Sequence, residues 1–201
     1  YGLLFAFPYG ILLALGRRSN LPLIKGLCVG FIELIRGVPL ISLLIMASVM
    51  LPLFLPQGVS FDKFLRAQVA VILFAGAYIA EIIRGGLQSL PKGQFEAAMA
   101  VGLSYWKSMR LIVLPQALRV TIPNIVSSYI GLFKDTTLVF VVGIFDFLRA
   151  IEAARIDPNW ATPVTSTTGY AFAAMFYFIF CYSMARYARF VEARLAAGDK
   201  R

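Results

Sequence analysis

Lys134, Asp135 and Thr136 form a polar triplet that directly follows one apolar run and precedes another. If both runs are embedded in a membrane, these residues lie below the headgroups, and charges at that depth usually face a cavity. A cation beside an anion can bind a solute that carries both charges. One interpretation is that Lys134, Asp135 and Thr136 line or support a solute pathway. The other is that they anchor a helix end, and the sequence favours neither.

The common reaction chemistries lack their usual residues. The sequence contains no histidine, and its two cysteines, Cys28 and Cys181, lie in apolar segments without a partner at metal-ligand spacing. We therefore expect no catalytic residue, no metal and no cofactor. The Gly-x-x-x-x-Gly-Lys-Ser/Thr loop that cradles a triphosphate is also absent from the sequence. Energy from a nucleotide must therefore come from another chain.

The composition indicates that the solvent is a bilayer. Hydrophobic residues make up 60% of the chain, charged residues make up 14%, and the mean hydropathy is +0.79, which lies outside the usual range for soluble domains. The net charge of +9 comes from short basic clusters between apolar runs, as membrane topology predicts. We therefore expect no nucleic-acid partner.

Five apolar segments have, or nearly have, the roughly 20 residues that a membrane-spanning helix needs. The sequence therefore predicts an all-α, polytopic membrane protein with one domain, residues 1–201, whose first span is truncated at its start. The predicted spans are Tyr1 to Leu15, Gly37 to Leu55, Phe64 to Ile83, Leu111 to Phe133 and Val164 to Ala185.

Two further segments are predicted outside these spans. Asn20 to Arg36 is too polar to span alone, and we expect a cytoplasmic-side helix that leads into the second span. The apolar run Thr136 to Phe145 is too short to span. It is predicted to be a re-entrant or interfacial segment on the outer side, followed by a short helix around Asp146 to Arg155.

The distribution of basic residues predicts the orientation. The connections on one side of the predicted spans carry 13 Lys and Arg residues, and those on the other side carry 5. The positive-inside rule then places the C-terminus in the cytoplasm. The connection between the third and fourth spans, about residues 85–110, lies on the same side.

This connection contains an unusual run of small, polar and basic residues. Ser89 is predicted to cap a helix that has Pro91 in its first turn and includes Phe95 to Val101, with Gly102 as a left-handed terminator. Ser104 is predicted to cap a second helix that enters the membrane. The pattern therefore predicts helix, sharp bend, helix.

The first of these helices has features of a docking element. Ala97 and Ala98 let the surface of another protein approach the backbone closely, while Phe95 and Met99 offer apolar anchors. The alternative is an ordinary solvated loop that contains a chance helix. Composition alone does not exclude that alternative.

The spacing in this region carries a family resemblance. Glu96-Ala97-Ala98, three residues, Gly102, nine residues, Ile112, one residue, and Leu114-Pro115 match the EAA signature. The stretch thus resembles that of permease subunits in ATP-binding-cassette uptake systems. The resemblance implies the type I importer permease fold with a coupling helix that sits in a cleft of the ATPase subunit. The residues that it assigns to coupling are Phe95, Glu96, Ala97, Ala98, Met99 and Gly102.

Further blocks resemble those of polar amino acid permeases, in the expected order over nearly the whole chain. They are Arg36-Gly37-Val38-Pro39, Ala80 to Gly86, Ser89 to Gln94, and Leu132 to Val139. The resemblance implies import of amino acids across a bacterial inner membrane. It also implies the partners: two ATPase subunits, a periplasmic amino-acid-binding protein, membrane lipid and a second permease. The sequence looks most like permeases of general L-amino acid importers, in which the second permease is a non-identical homologue.

Other functions stay open at this point. A permease for another small polar solute is the nearest alternative, because the EAA signature does not depend on the cargo. An ion-driven carrier and a non-transporting scaffold of a membrane complex are alternatives from other classes.

Two Glu-x-x-Arg pairs lie near predicted membrane boundaries. Glu33 and Arg36, and Glu81 and Arg84, have the i,i+3 spacing that lets each pair neutralise itself on one helix face. A structural role is favoured over gating.

Overall fold

The computed structural model describes residues 2–56 and 61–198, and the regular elements in these ranges are helices. The all-α prediction is confirmed. The α-helices are α1 (Gly2–Arg17), α2 (Pro22–Arg36), α3 (Leu40–Ile45), α4 (Lys63–Ser89), α5 (Lys92–Ala100), α6 (Tyr105–Ser108), α7 (Leu114–Asp135), α8 (Phe147–Ile156) and α9 (Thr165–Gly198). Wider and tighter helical turns continue α3 through Met46–Met50 and Leu51–Phe54, precede α7 at Met109–Val113 and follow it at Thr136–Val142.

α4 is the central helix of the bundle and packs against α1, α2, α3 and α7. Most of its buried residues are small, and small residues let helix backbones approach closely. A Cβ added at Gly10 of α1 would lie 2.7 Å from Ile79 Cγ2, and one added at Gly86 would lie 2.8 Å from the Ala117 carbonyl oxygen of α7. The buried residues of α4 are Ala67, Ala70, Ala75, Gly76, Ala77, Ile79, Ala80, Ile83, Gly86 and Leu87.

Three helical stretches have the length and hydropathy of membrane spans: Lys63–Ser89, Tyr105–Val142 and Thr165–Arg194. They contain the predicted third and fourth spans and all of the predicted fifth span except Val164. α2 and Leu40–Phe54 pass the same test only as a pair bent by 104°, and α1 is a shorter apolar helix. The described residues therefore contain three spans, or four if the bent pair is one span, and the count of five stays a prediction.

The bend between α2 and α3 falls at Gly37-Val38-Pro39. Proline lacks the N–H that a continuing helix needs, and it disfavours the helical conformation of the residue before it. Pro39 is extended, with φ −60° and ψ 144°. The predicted second span therefore begins at a break, while the lead-in helix is confirmed as α2.

An apolar turn and a short helix follow α7. The tight turns of Thr136–Val142 end at Gly143, which has φ +73°. The carboxylate of Asp146 then accepts hydrogen bonds from the backbone N–H groups of Leu148 at 3.3 Å and Arg149 at 3.1 Å. This cap starts α8, and the predicted order of apolar segment and short helix is confirmed.

α9 closes the bundle through aromatic contacts with α7 and α8. The rings of Phe147 and Phe176 lie 4.3 Å apart, and those of Phe133 and Tyr177 lie 5.6 Å apart. The opposite face of α9 exposes large apolar side chains, including Phe178. Such a face suits contact with lipid or with another membrane subunit.

The adjacent glycines of α4 give a matched test of the packing between α4 and α7. Gly86→Ala places a methyl group against the Ala117 carbonyl, whereas the same group at Gly85 meets no atom within 4 Å. We expect Gly86→Ala to destabilise the fold by about 1–3 kcal/mol through overpacking. Gly85→Ala keeps or slightly raises stability, because alanine has the higher helix propensity. The apparent melting temperatures of the detergent-purified proteins measure both effects, and equal temperatures would contradict the packing.

Candidate functional site

α5 follows α4 after only two residues. Pro91 occupies the N-cap position of α5, and Leu90 is extended. Ser89 does not cap α5 as the sequence predicted. Its hydroxyl donates to the carbonyl oxygen of Gly86 at 2.9 Å, because the end of α4 leaves carbonyl acceptors free. The connection is too short to let α5 move far from α4.

Gly102 ends α5 as predicted. It has φ +75°, a conformation that glycine adopts without steric cost. Its N–H donates to the Met99 carbonyl at 2.9 Å, and the Leu103 N–H donates to the Ala98 carbonyl at 3.1 Å. These two bonds form a Schellman motif. The bend after α5 is therefore fixed by backbone hydrogen bonds.

The inner face of α5 is tied to the membrane helices. Ala98 is 1% exposed, and half-buried Phe95 packs against the main core. The Arg18 guanidinium, just after α1, lies 4.9 Å from the centre of the Phe95 ring, within the range of a cation–π contact. The Gln116 side-chain amide of α7 donates to the Gln94 amide oxygen at 3.0 Å. α5 thus contacts Arg18, directly after α1, and Gln116 of α7, in addition to continuing from α4.

The outer face of α5 is open. Glu96, Ala97 and Gly102 are exposed, and the Met99 side chain is 64% exposed. The predicted coupling residues therefore divide into two sets. Phe95 and Ala98 hold the helix to the bundle, and the other four are exposed.

The second helix of this region starts where the sequence predicted. Ser104 is the N-cap residue of α6, although its side chain makes no capping hydrogen bond. The wide turn at Met109–Val113 then leads into α7. Pro115 explains this turn, because proline cannot donate to the carbonyl four residues earlier.

A cluster of charges joins α1, α2 and α4. The Glu81 carboxylate accepts from Arg17 Nη1 at 2.9 Å and from Arg84 Nε at 2.7 Å, and it lies 3.8 Å from Arg36 Nη1. Glu33 pairs with Arg17 at 3.2 Å. The predicted pairing within one helix holds for Glu81 and Arg84. Glu33 and Arg36 instead make these contacts across helices, because Arg17 and Glu81 lie beside α2.

The predicted pathway residues lie where α7 ends. Asp135 is half-buried and lines two cavities. One cavity, of about 410 Å³, also touches Thr136 and lies between α1, α3, α4 and the end of α7. The other, of about 270 Å³, lies between α4 and α7. Lys134 is exposed and lines neither cavity, so Asp135 and Thr136 come together without it.

Sequence reasoning missed Tyr78 and Ser128 in the smaller cavity. Arg36 lies 5.5 Å from the centre of the Tyr78 ring, so this cavity adjoins the charge cluster. The only signal in the sequence for Tyr78 and Ser128 was that each is a polar residue within a predicted span, the third and the fourth respectively. That signal becomes informative only when the facing sides of α4 and α7 are known.

Relatives of known type share this architecture. Residues 6–197 match the family described as the inner membrane component of binding-protein-dependent transport systems. The chain is 55% identical over 197 residues to the inner membrane amino-acid ABC transporter permease protein YhdY of Escherichia coli K12, covering 98% of this chain and 53% of that protein. It is also 55% identical over 191 residues to the glutamate/glutamine/aspartate/asparagine transport system permease protein BztC of Rhodobacter capsulatus, covering 94% and 44%. The chain thus spans about half the length of these two relatives.

A solved structure agrees with these matches. The crystal structure of an amino acid ABC transporter with histidines superimposes with a TM-score of 0.82 at 27% identity, covering 96% of this chain and 86% of that one. The family match extends over nearly the whole chain, and the described helices follow the same fold. The chain belongs to the family of inner membrane components of binding-protein-dependent transport systems.

Proposed function

We propose that this chain is the membrane-spanning permease subunit of an ATP-driven importer that moves amino acids from a periplasmic binding protein to the cytoplasm. The observation that carries the proposal is the exposed face of α5. This short helix follows α4 after two residues, and its inner face contacts Arg18, directly after α1, and Gln116 of α7. Relatives named as amino acid permeases support the substrate class. The chain itself performs no bond chemistry, and ATP hydrolysis belongs to a separate subunit.

The proposed complex has two ATPase subunits, a second permease and a periplasmic amino-acid-binding protein, in a bacterial inner membrane. The second permease is a non-identical homologue, by resemblance to general L-amino acid importers. Glu96, Ala97, Met99 and Gly102 contact the ATPase, and Phe95 and Ala98 support them from the inner face. The C-terminus lies in the cytoplasm.

The packing supplies a route from α5 to the pathway. A force on α5 acts on α4 through two connecting residues and on α1 through Arg18. The other end of α4 lines the larger cavity that Asp135 borders, and the middle of α4 lines the smaller one. A rigid movement of α4 therefore changes the shape of the cavities, which alternating access requires.

The pathway proposal assigns Asp135 to the ammonium group of the amino acid, because its carboxylate borders both cavities. Thr136 lines the larger cavity beside it. Lys134 is on the exposed side of the same helix end. It would reach substrate only in a pore that the second permease completes.

A substitution on α5 tests the coupling. Ala97→Arg adds bulk and charge to a small exposed side chain that the proposal places against the ATPase. We expect amino acid transport and substrate-stimulated ATP hydrolysis by the reconstituted complex to fall at least about tenfold, equivalent to about 1.4 kcal/mol. Ala193→Arg on α9 is the control, since Ala193 is also exposed. Unchanged transport and unchanged substrate-stimulated ATP hydrolysis in the Ala97→Arg complex would show that this face of α5 does not contact the ATPase.

A second experiment tests the pathway. Asp135→Asn removes the charge between the two cavities with little change in volume, so we expect amino acid uptake to fall about tenfold or more, as for loss of a charged hydrogen bond. Lys134→Met removes the neighbouring cation, and the pathway hypothesis also expects reduced uptake. Lys63→Met, at the start of α4, is the control. Unchanged uptake with normal complex assembly rules out the pathway role of the substituted residue.

The orientation is tested by labelling. In a chain with Cys28 and Cys181 replaced by serine, Lys107→Cys and Asn159→Cys place single thiols at exposed positions near α5 and after α8. We expect a membrane-impermeant maleimide to label position 159 in cells whose outer membrane is permeabilised. Position 107 is expected to react only after the inner membrane is opened. The reverse pattern would place α5 outside the cell and refute the proposed coupling.

A further inference from the structure

A basic cavity of about 810 Å³ lies at the α5 end of the bundle. Its walls come from the end of α1, the first turns of α2, the end of α4, and α5. Lys25, Lys92 and Glu96 in its lining are exposed, so another molecule can reach them. The charged residues of the lining are Arg17, Arg18, Lys25, Arg84, Lys92 and Glu96.

The two lysines carry positive charge that the fold leaves unpaired. Arg17 and Arg84 both pair with Glu81. Among the residues that the structure describes, neither Lys25 nor Lys92 has an ion-pair partner. Glu96 is the only carboxylate in the described lining, and it can offset at most one of the two lysines. The accessible part of the cavity therefore has an excess of positive charge.

The α5 wall of the cavity belongs to the face that is proposed to contact the ATPase. Lys92, Glu96 and Met99 follow one another at intervals of four and three residues, which places them along one side of a helix. All three are exposed and line the cavity. Glu96 and Met99 are also among the proposed ATPase contacts. A subunit that rests on these two side chains therefore covers Lys92 as well.

Another wall of the same cavity comes from α2. Lys25 and Val29 lie about one turn apart on this helix, and both line the cavity. Lys25 therefore shares one concave surface with Lys92 and Glu96, although it belongs to a different helix. A protein surface seated on this side of α5 also reaches Lys25.

Covering the lysines removes water from their ammonium groups. A charge that loses its water is costly unless it gains a partner of opposite sign. Because the described residues supply no partner for Lys25 or Lys92, the covering subunit has to supply one. We propose that the basic cavity receives acidic side chains of the ATPase subunit, with Lys25 and Lys92 as their ion-pair partners. This inference rests on the proposed function, in which α5 faces the ATPase.

The contact gives the ATPase a second point of attachment on this chain. α2 carries Arg36 of the charge cluster and leads to the break before α3. A movement of the ATPase therefore acts on α2 directly, in addition to acting on α4 through α5.

Lysine chemistry allows a direct test in the complete complex. A water-soluble carbodiimide joins a lysine amine to a carboxylate in contact with it and adds no spacer. We expect Lys25 and Lys92 to become linked to Asp or Glu residues of the ATPase, which mass spectrometry of the digested complex identifies. Lys25→Gln and Lys92→Gln each remove their own link. Lys63→Gln, at the other end of α4, leaves both links in place.

Charge reversal measures the strength of the contact. Lys25→Glu brings like charges together, so we expect the affinity of the ATPase for the permease at low salt to fall at least about tenfold. Replacing the linked ATPase carboxylate by lysine restores the affinity, which it could not do if Lys25→Glu had only impaired folding. Lys63→Glu is the matched control and leaves the affinity unchanged.

A photoreactive amino acid in place of Ala97 separates this contact from the proposed function. Links from position 97 to the ATPase without any from Lys25 or Lys92 overturn the cavity contact and leave the proposed function standing. No link to the ATPase from any of the three positions overturns both. Lysine links confined to carboxylates of the permease chains, or an affinity that Lys25→Glu does not change, also overturn the cavity contact.

Discussion

A carboxylate within a membrane helix must be paired, and Glu81 meets this constraint by joining three helices. It lies eight residues before the end of α4, or about 12 Å along the helix axis, and its side chain is 19% exposed. Arg84 of the same helix supplies one partner, and Arg17 and Arg36 bring α1 and α2 to it. The relative position of these helices therefore depends on Glu81.

This arrangement makes α4 the element through which distant parts of the chain communicate. The small residues of α4 let α1 and α7 each pack closely against it. A shift of α4 therefore also moves α1 and α7. One end continues into α5, and the other borders the larger cavity beside Asp135. Tightly packed interfaces switch between arrangements more readily than they deform. A stiff central helix with an exposed short helix at one end suits a subunit that is driven by another protein.

Local patterns in the sequence predicted local structure well, and they failed where the outcome depends on neighbouring helices. Gly102 ends α5 as predicted, because a left-handed turn is a property of a few adjacent residues. The prediction that Ser89 caps α5 was wrong, because its hydroxyl donates to a free carbonyl group at the end of α4. The i,i+3 rule gave the right partner for Glu81 but could not anticipate Arg17. Lys134 and Asp135 are adjacent in sequence, yet only Asp135 lines the cavities, because successive helical residues point about 100° apart.

The basic residues at the α5 end of the bundle have two roles. They set the orientation in the membrane, which the sequence predicts, and some of them also stabilise the packing of the helices, which only the structure shows. A charge that only sets orientation during insertion needs to be on the correct side of the membrane, and its exact position is free. Arg17 and Arg84 are instead held by Glu81, so they also stabilise the helix bundle. The guanidinium of Arg18 lies against the ring of Phe95 on α5, 4.9 Å from its centre. This cation–π contact fixes the position of the Arg18 guanidinium, so Arg18 supports α5 in addition to any effect of its charge on membrane orientation.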